Sequence, residues 1–101
     1  MRVVHSKRGV PIRLTTERWS HIVENHDDLA GYRDDVLTAI EEPDEVLQGK
    51  TNELIALKSV PARTLVVVYR ETSSNDGFVI TAFFTTELER VRKRGLVWPR
   101  R

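Results

Sequence analysis

The chain has 101 residues, 40% of them hydrophobic, with 16 Lys and Arg against 15 Asp and Glu for a net charge of +1. That length holds one domain and one core, and an ordinary apolar share excludes a disordered chain. The absence of cysteine excludes a disulfide scaffold, a zinc finger and thiol chemistry.

Apolar runs stay well short of the ~18 residues that a membrane helix needs, and MRVVHSKRGV lacks the apolar centre of a signal peptide. A cytoplasmic protein is the expectation. Charge is uneven along the chain. Arg2, Lys7, Arg8, Arg13 and Arg18 make the start basic, and Arg90, Arg92, Lys93, Arg94, Arg100 and Arg101 do the same for the end. Glu24, Asp27, Asp28, Asp34, Asp35, Glu41, Glu42, Asp44 and Glu45 make the middle acidic. If the two ends meet, one face is cationic and steers a polyanion. The bland alternative is a set of solvated charges.

In chain order, residues 2–14 read as an extended arm or a short strand, broken at Gly9 and Pro11. A helix starts at Thr15 or Thr16, whose hydroxyls suit an N-cap. Trp19, Ile22, Val23 and His26 recur at helical spacing and form one buried stripe. Asp27 and Asp28 are disfavoured at a helix C-terminus, so the helix ends near His26. A second helix covers about Tyr32 to Glu42, with Asp34 and Asp35 in its first turn and Pro43 as its stop.

Strands follow at Glu45–Gln48, Leu54–Lys58, Thr64–Arg70 and Phe78–Thr85, with Asp76-Gly77 as a turn signal. Glu87 to Arg94 forms a short helix or a basic tail, and Leu96 to Trp98 a last edge strand. Helices first and strands after predict an α+β domain: two N-terminal helices packed on a curved, roughly four-stranded antiparallel sheet. Residues 1–11 are expected to be an arm and 95–101 a tail.

Several side chains could carry chemistry. His26 is either a partly buried helix-end histidine or a general acid or base facing the sheet. His21 lies about 200° from Trp19 on the helical wheel; it is a surface residue unless that edge lines a cleft, where it would join a catalytic set. Arg70 closes an apolar strand and either snorkels to an acid or clamps a phosphate with its planar fork. Tyr69 points to the opposite side unless the strand is bulged, in which case it too would touch substrate.

Thr81, Phe83 and Thr85 share one face of the last long strand with Val79, whereas Ile80, Ala82 and Phe84 share the other, core-facing side. A Thr-Phe-Thr row either reflects strand propensity or suits RNA, with the ring stacking on a base and hydroxyls reaching phosphate. Lys58 would add a cation to that face, and Arg92 and Arg94 would hold flanking backbone. No glycine-rich phosphate loop, Gly-x-Ser-x-Gly elbow or His-Glu-x-x-His occurs, and the acids between Asp27 and Glu45 match no calcium loop. Neither a metal nor a cofactor is expected.

LTTERWSHIVENHDDL, YRDDVLTAIEEPDEVLQG, LVVVYRE and DGFVITAFFT, in this order, resemble the small phage and bacterial proteins of the barnase/EndoU/colicin/RelE-like nuclease fold. The resemblance covers about residues 12 to 98. It implies two helices on a curved antiparallel sheet, metal-independent RNA cleavage, and in many members toxicity restrained by a small antitoxin. It also implies an active site of a helix-one histidine, a central-strand arginine and a last-strand Ser or Thr. These fall on His26, Arg70 and either Thr81 or Thr85. The expected function is a toxin-like endoribonuclease, in which the ribose 2′-hydroxyl attacks the adjacent phosphate. The alternatives are a catalytically silent RNA- or protein-binding module on the same fold, and an interaction protein that offers its acidic second helix to a basic partner.

Overall fold

The computed structural model describes residues 3–92 and 95–99. Two three-residue strands, β1 (Val3–His5) and β2 (Pro11–Arg13), precede α1 (Thr16–Asn25), a 3₁₀ turn (Asp27–Leu29) and α2 (Arg33–Glu41). Then come β3 (Glu45–Gln48), β4 (Glu53–Val60), β5 (Arg63–Ser73), β6 (Asp76–Thr85), α3 (Leu88–Arg92) and β7 (Leu96–Trp98).

The segment read as an arm therefore enters the sheet, and so does part of the expected tail. All the strands form one seven-stranded sheet in the order β1-β2-β6-β5-β4-β3-β7. It is mixed, because β2 runs parallel to β6 while the other pairs are antiparallel. The expectation of two helices on four antiparallel strands is thus corrected to three short helices and a curled seven-stranded sheet. What the expectation lacked was long-range pairing. The edge strand expected at Leu96 to Trp98 is present, but the three-residue strands β1 and β2 carry no periodicity of their own and take their place from distant partners.

Local signals act where the sequence suggests. Thr15 caps α1, its hydroxyl accepting from the Arg18 amide at 3.1 Å. α2 ends at Glu41, two residues before Pro43. Its Val36, Leu37, Ala39 and Ile40 are all fully buried, because the sheet curls around this helix and packs β1, β4 and β5 against it. Chain ends that are remote in strand order also approach one another. Lys7, in the β1–β2 turn, holds its Nζ 4.6 Å from the Trp98 ring of β7.

The sheet is apolar on both faces. The larger core joins α1, α2 and one sheet face through Ile22, Leu37, Ile40, Leu65, Val67 and Tyr69. The second face carries Leu47, Ile55, Leu57 and Val66, with Leu88 and Val91 of α3 laid over them.

Two details of β6 set the site. The β5–β6 turn is made by Ser74 and Asn75, since Ser73 pairs with Asp76. Asp76-Gly77, read as the turn, lies inside the strand. Gly77 is there for close approach, because a Cβ would stand 2.5 Å from the Arg70 carbonyl oxygen and 2.6 Å from Ile12 Cδ1. Further on, Val68 opposes Thr81 while Tyr69 opposes Val79, so Ile80 is the extra residue of a β-bulge. The bulge reverses the alternation. Val79 turns into the large core at 1% exposure, and Ile80 joins Thr81 and Phe83 on the second face, the opposite of the expected assignment.

Candidate functional site

The second face carries a groove of about 630 Å³ between the sheet and α3. Its walls are apolar, from Ile55, Val66, Val68, Ile80, Phe83 and Val91, and its polar groups are Lys50, Glu53, Arg70 and Arg90. Apolar walls with a few converging charged groups are the usual form of a small-molecule or nucleotide site.

Arg70 is the most telling of these groups. It comes from β5, opposite Glu53 on β4 and Phe78 on β6. Its Nε is buried without a hydrogen-bond partner among the described residues. A buried, unpaired donor on a charged group costs free energy unless a ligand satisfies it. Glu53 does not do so, since its Oε2 stands 4.0 Å from Arg70 Nη2. The Glu53 carboxylate instead accepts from Thr51, through its amide at 3.2 Å and its hydroxyl. The hydroxyl and then the amide of Thr51 hold the Glu53 pKa down to about 2.

His26 reaches this face from the other core. β2 pairs with β6 only through Ile12–Gly77 and Arg13–Phe78, which leaves the rest of that β6 edge to α1. Ile22 of α1 enters the large core, while His26, one turn later, lies with its ring centroid 5.9 Å from that of Phe83. Phe83 also lines the groove. His26 leaves helical geometry at φ −138°, donating its amide to the Ile22 carbonyl and accepting from the Leu29 amide. Histidine, groove and threonine row are therefore joined through Phe83.

The remaining candidates separate. Thr81 is half-buried on this face opposite Val68. Thr85 shares the face, but its hydroxyl accepts from the Glu87 amide at 2.9 Å and shapes the turn into α3. Tyr69 is buried in the large core on the opposite side from Arg70, and burial raises its phenol pKa above the ordinary value. Lys58 also faces the other way, donating to the Glu42 carbonyl at 2.8 Å beyond the end of α2. The parity of β4 decides this: Leu54, Ala56 and Lys58 share one face, and Ile55 and Leu57 the other.

Arg92 forms a two-pronged pair with Glu45, at 3.1 and 2.9 Å, which raises its pKa and ties α3 to β3. His21 is exposed on α1, and Arg94 lies outside the described residues. The basic start is also engaged with acids, Arg8 with Glu71 and Arg13 with Asp76. Among the described residues of the two basic ends, Arg8, Arg13, Arg90 and Arg92 are paired with acids, while Arg2, Lys93, Arg94, Arg100 and Arg101 lie outside the described residues.

Lys50, Glu53, Ile80 and Arg90 were missed. Glu53 had a usable signal, because the two-residue turn at Pro61–Ala62 sets a register that brings Glu53 opposite Arg70. Among the described residues, no three His, Asp or Glu side chains converge as metal ligands, and no helix is long and apolar enough to cross a membrane.

No curated protein and no solved structure matches the chain. A family model does match it, over residues 1–99, and with that match the chain belongs to the phage-Barnase-EndoU-ColicinE5/D-RelE like nuclease2 family.

Proposed function

We propose that this nuclease-family protein is a metal-independent endoribonuclease of toxin-like action, with its site on the second sheet face. One observation carries the reading. The Arg70 guanidinium has a buried Nε without a partner among the described residues and lines a groove whose Phe83 wall is also in ring contact with His26.

In this reading the ribose 2′-hydroxyl attacks the adjacent phosphorus. The bond from phosphorus to the 5′-oxygen breaks, leaving a 2′,3′-cyclic phosphate and a 5′-hydroxyl. His26 serves as the general base that takes the 2′ proton or the general acid that supplies a proton to the 5′ oxygen. Arg70 offsets the charge that develops on the phosphorane oxygens, where preorganised donors count most. Thr81 hydrogen-bonds the phosphate, with Thr85 less available because its hydroxyl already holds the Glu87 amide. The apolar walls beside Phe83 take a base, and Lys50 and Arg90 take neighbouring backbone.

RNA is accordingly the proposed ligand. A small antitoxin as partner and action in the cytoplasm belong to the same proposal, which growth arrest on induced expression would support. The direct test is RNA cleavage by the purified protein in excess chelator, beside His26→Ala and Arg70→Ala. Cleavage that both substitutions abolish without loss of folding supports the reading. Salt-sensitive RNA binding with no cleavage replaces it with a silent RNA-binding module.

A further inference from the structure

We infer that the β3–β4 turn restrains Glu53 so that Arg70 stays open to a phosphate; the inference rests on the reading of Arg70 as the phosphate clamp. Glu53 and Arg70 are cross-strand partners, the arrangement in which opposite charges normally close into an ion pair. They meet only as a long ion pair, with their nearest charged atoms 4.0 Å apart and no hydrogen bond between the two side chains among the described residues. Exposure does not explain the gap, because the Glu53 side chain is only 20% exposed and has the guanidinium as its neighbour.

Competition explains it. Both Glu53 oxygens are engaged by Thr51, one by the amide and one by the hydroxyl. The turn that presents Thr51 is itself fastened, since Gln48 Nε2 donates to the Thr51 and Glu53 carbonyls and the Gly49 amide donates to the Glu53 carbonyl. Gly49 supplies the room. A Cβ there would stand 2.2 Å from Glu53 Oε1 and 2.4 Å from its Cγ, so any larger residue evicts the carboxylate.

The physical consequence is a counter-ion kept close but off the fork. At this separation the two opposite charges still attract, without a hydrogen bond between them. The gap leaves the planar donors free for the two-pronged contact that a phosphate makes with arginine. Once released from Thr51, the carboxylate would compete for those donors as an internal mimic of the substrate anion. Glu53 is thus a positioning residue, acting through Arg70, and Thr51 and Gly49 are its restraints.

The test is binding of a short single-stranded DNA, which offers phosphodiesters but no 2′-hydroxyl to attack, followed by fluorescence anisotropy. Thr51→Val and Gly49→Ala each release Glu53 and are expected to weaken binding by about threefold to fivefold, the weight of a partly exposed ion pair. Adding Glu53→Gln to either variant should restore wild-type affinity, and Thr51→Ser should bind as wild type, a pattern that simple damage to the turn would not produce. Wild-type affinity in Thr51→Val and Gly49→Ala, with Arg70→Ala weakened, overturns the restraint. Failure of Glu53→Gln to rescue overturns it as well. If Arg70→Ala itself binds as wild type, the phosphate-clamp reading falls first.

Discussion

His26 and Phe83 lie with ring centroids 5.9 Å apart and planes tilted by 34°, although one closes the first helix and the other sits on the sheet face away from that helix's buried side. The contact exists because β2 covers only the start of β6 and leaves the rest of its edge open to α1. It sets an imidazole against Phe83, whose ring also lines the groove that Arg70 lines.

His26→Ala should therefore lower RNA cleavage by about 10²–10⁴-fold, the usual share of a general acid or base. Thermal unfolding should move little, because the ring is half-buried and its backbone hydrogen bonds persist. A pH–rate profile checks the assignment: the wild type should lose one limb in the variant.

Gly77→Ala tests the close approach of three strands. A new Cβ would meet the Arg70 carbonyl oxygen at 2.5 Å and Ile12 Cδ1 at 2.6 Å. Overpacking of this kind costs about 1–3 kcal/mol, which urea unfolding measures. Since the clash falls on the backbone of Arg70, cleavage should also drop in molecules that remain folded.

The lysines separate the two faces. Lys50→Ala should weaken RNA binding and lower the slope of log affinity against log salt by about one, as for a lost phosphate contact. Lys58→Ala should leave binding unchanged. It should cost about 0.3–1 kcal/mol of stability, because its ammonium lies against the carbonyl end of α2. Anisotropy titrations over a salt series and melting curves distinguish the two.

Asp76 ties β6 to β2 through Arg13, at 2.8 and 3.0 Å, and the hydrogen bond from Arg13 leads the causes that hold its pKa below the ordinary 3.8. A depressed folded pKa means that its contribution is complete above the unfolded value and fades as pH falls through the folded one. Asp76→Asn should accordingly be less stable than wild type at neutral pH, with the difference shrinking in acid. Denaturant midpoints across that range measure it. A difference that grows in acid would contradict the sign.

Local chemistry was legible without coordinates. Thr15 as a cap, the stop at Pro43, the apolar runs of β4, β5 and β6, and the opposition of Thr81 and Phe83 to Ala82 and Phe84 all follow from neighbours a few residues apart. So does the family, whose motifs extend along the chain. The last edge strand at Leu96 to Trp98 was legible too, whereas tertiary structure decided that the first segment forms two strands and that β2 pairs parallel with β6, since three-residue strands are stabilised by distant partners. It decided the bulge at Ile80, because an extra residue leaves no mark in composition yet flips every parity beyond it. It also decided which candidates meet: Arg70 and Phe83 line one groove, His26 touches the Phe83 ring, Tyr69 and Lys58 turn away, and Glu53 enters unannounced. Periodicity fixes which residues share a face within one unbroken element; the pairing of elements fixes which faces meet.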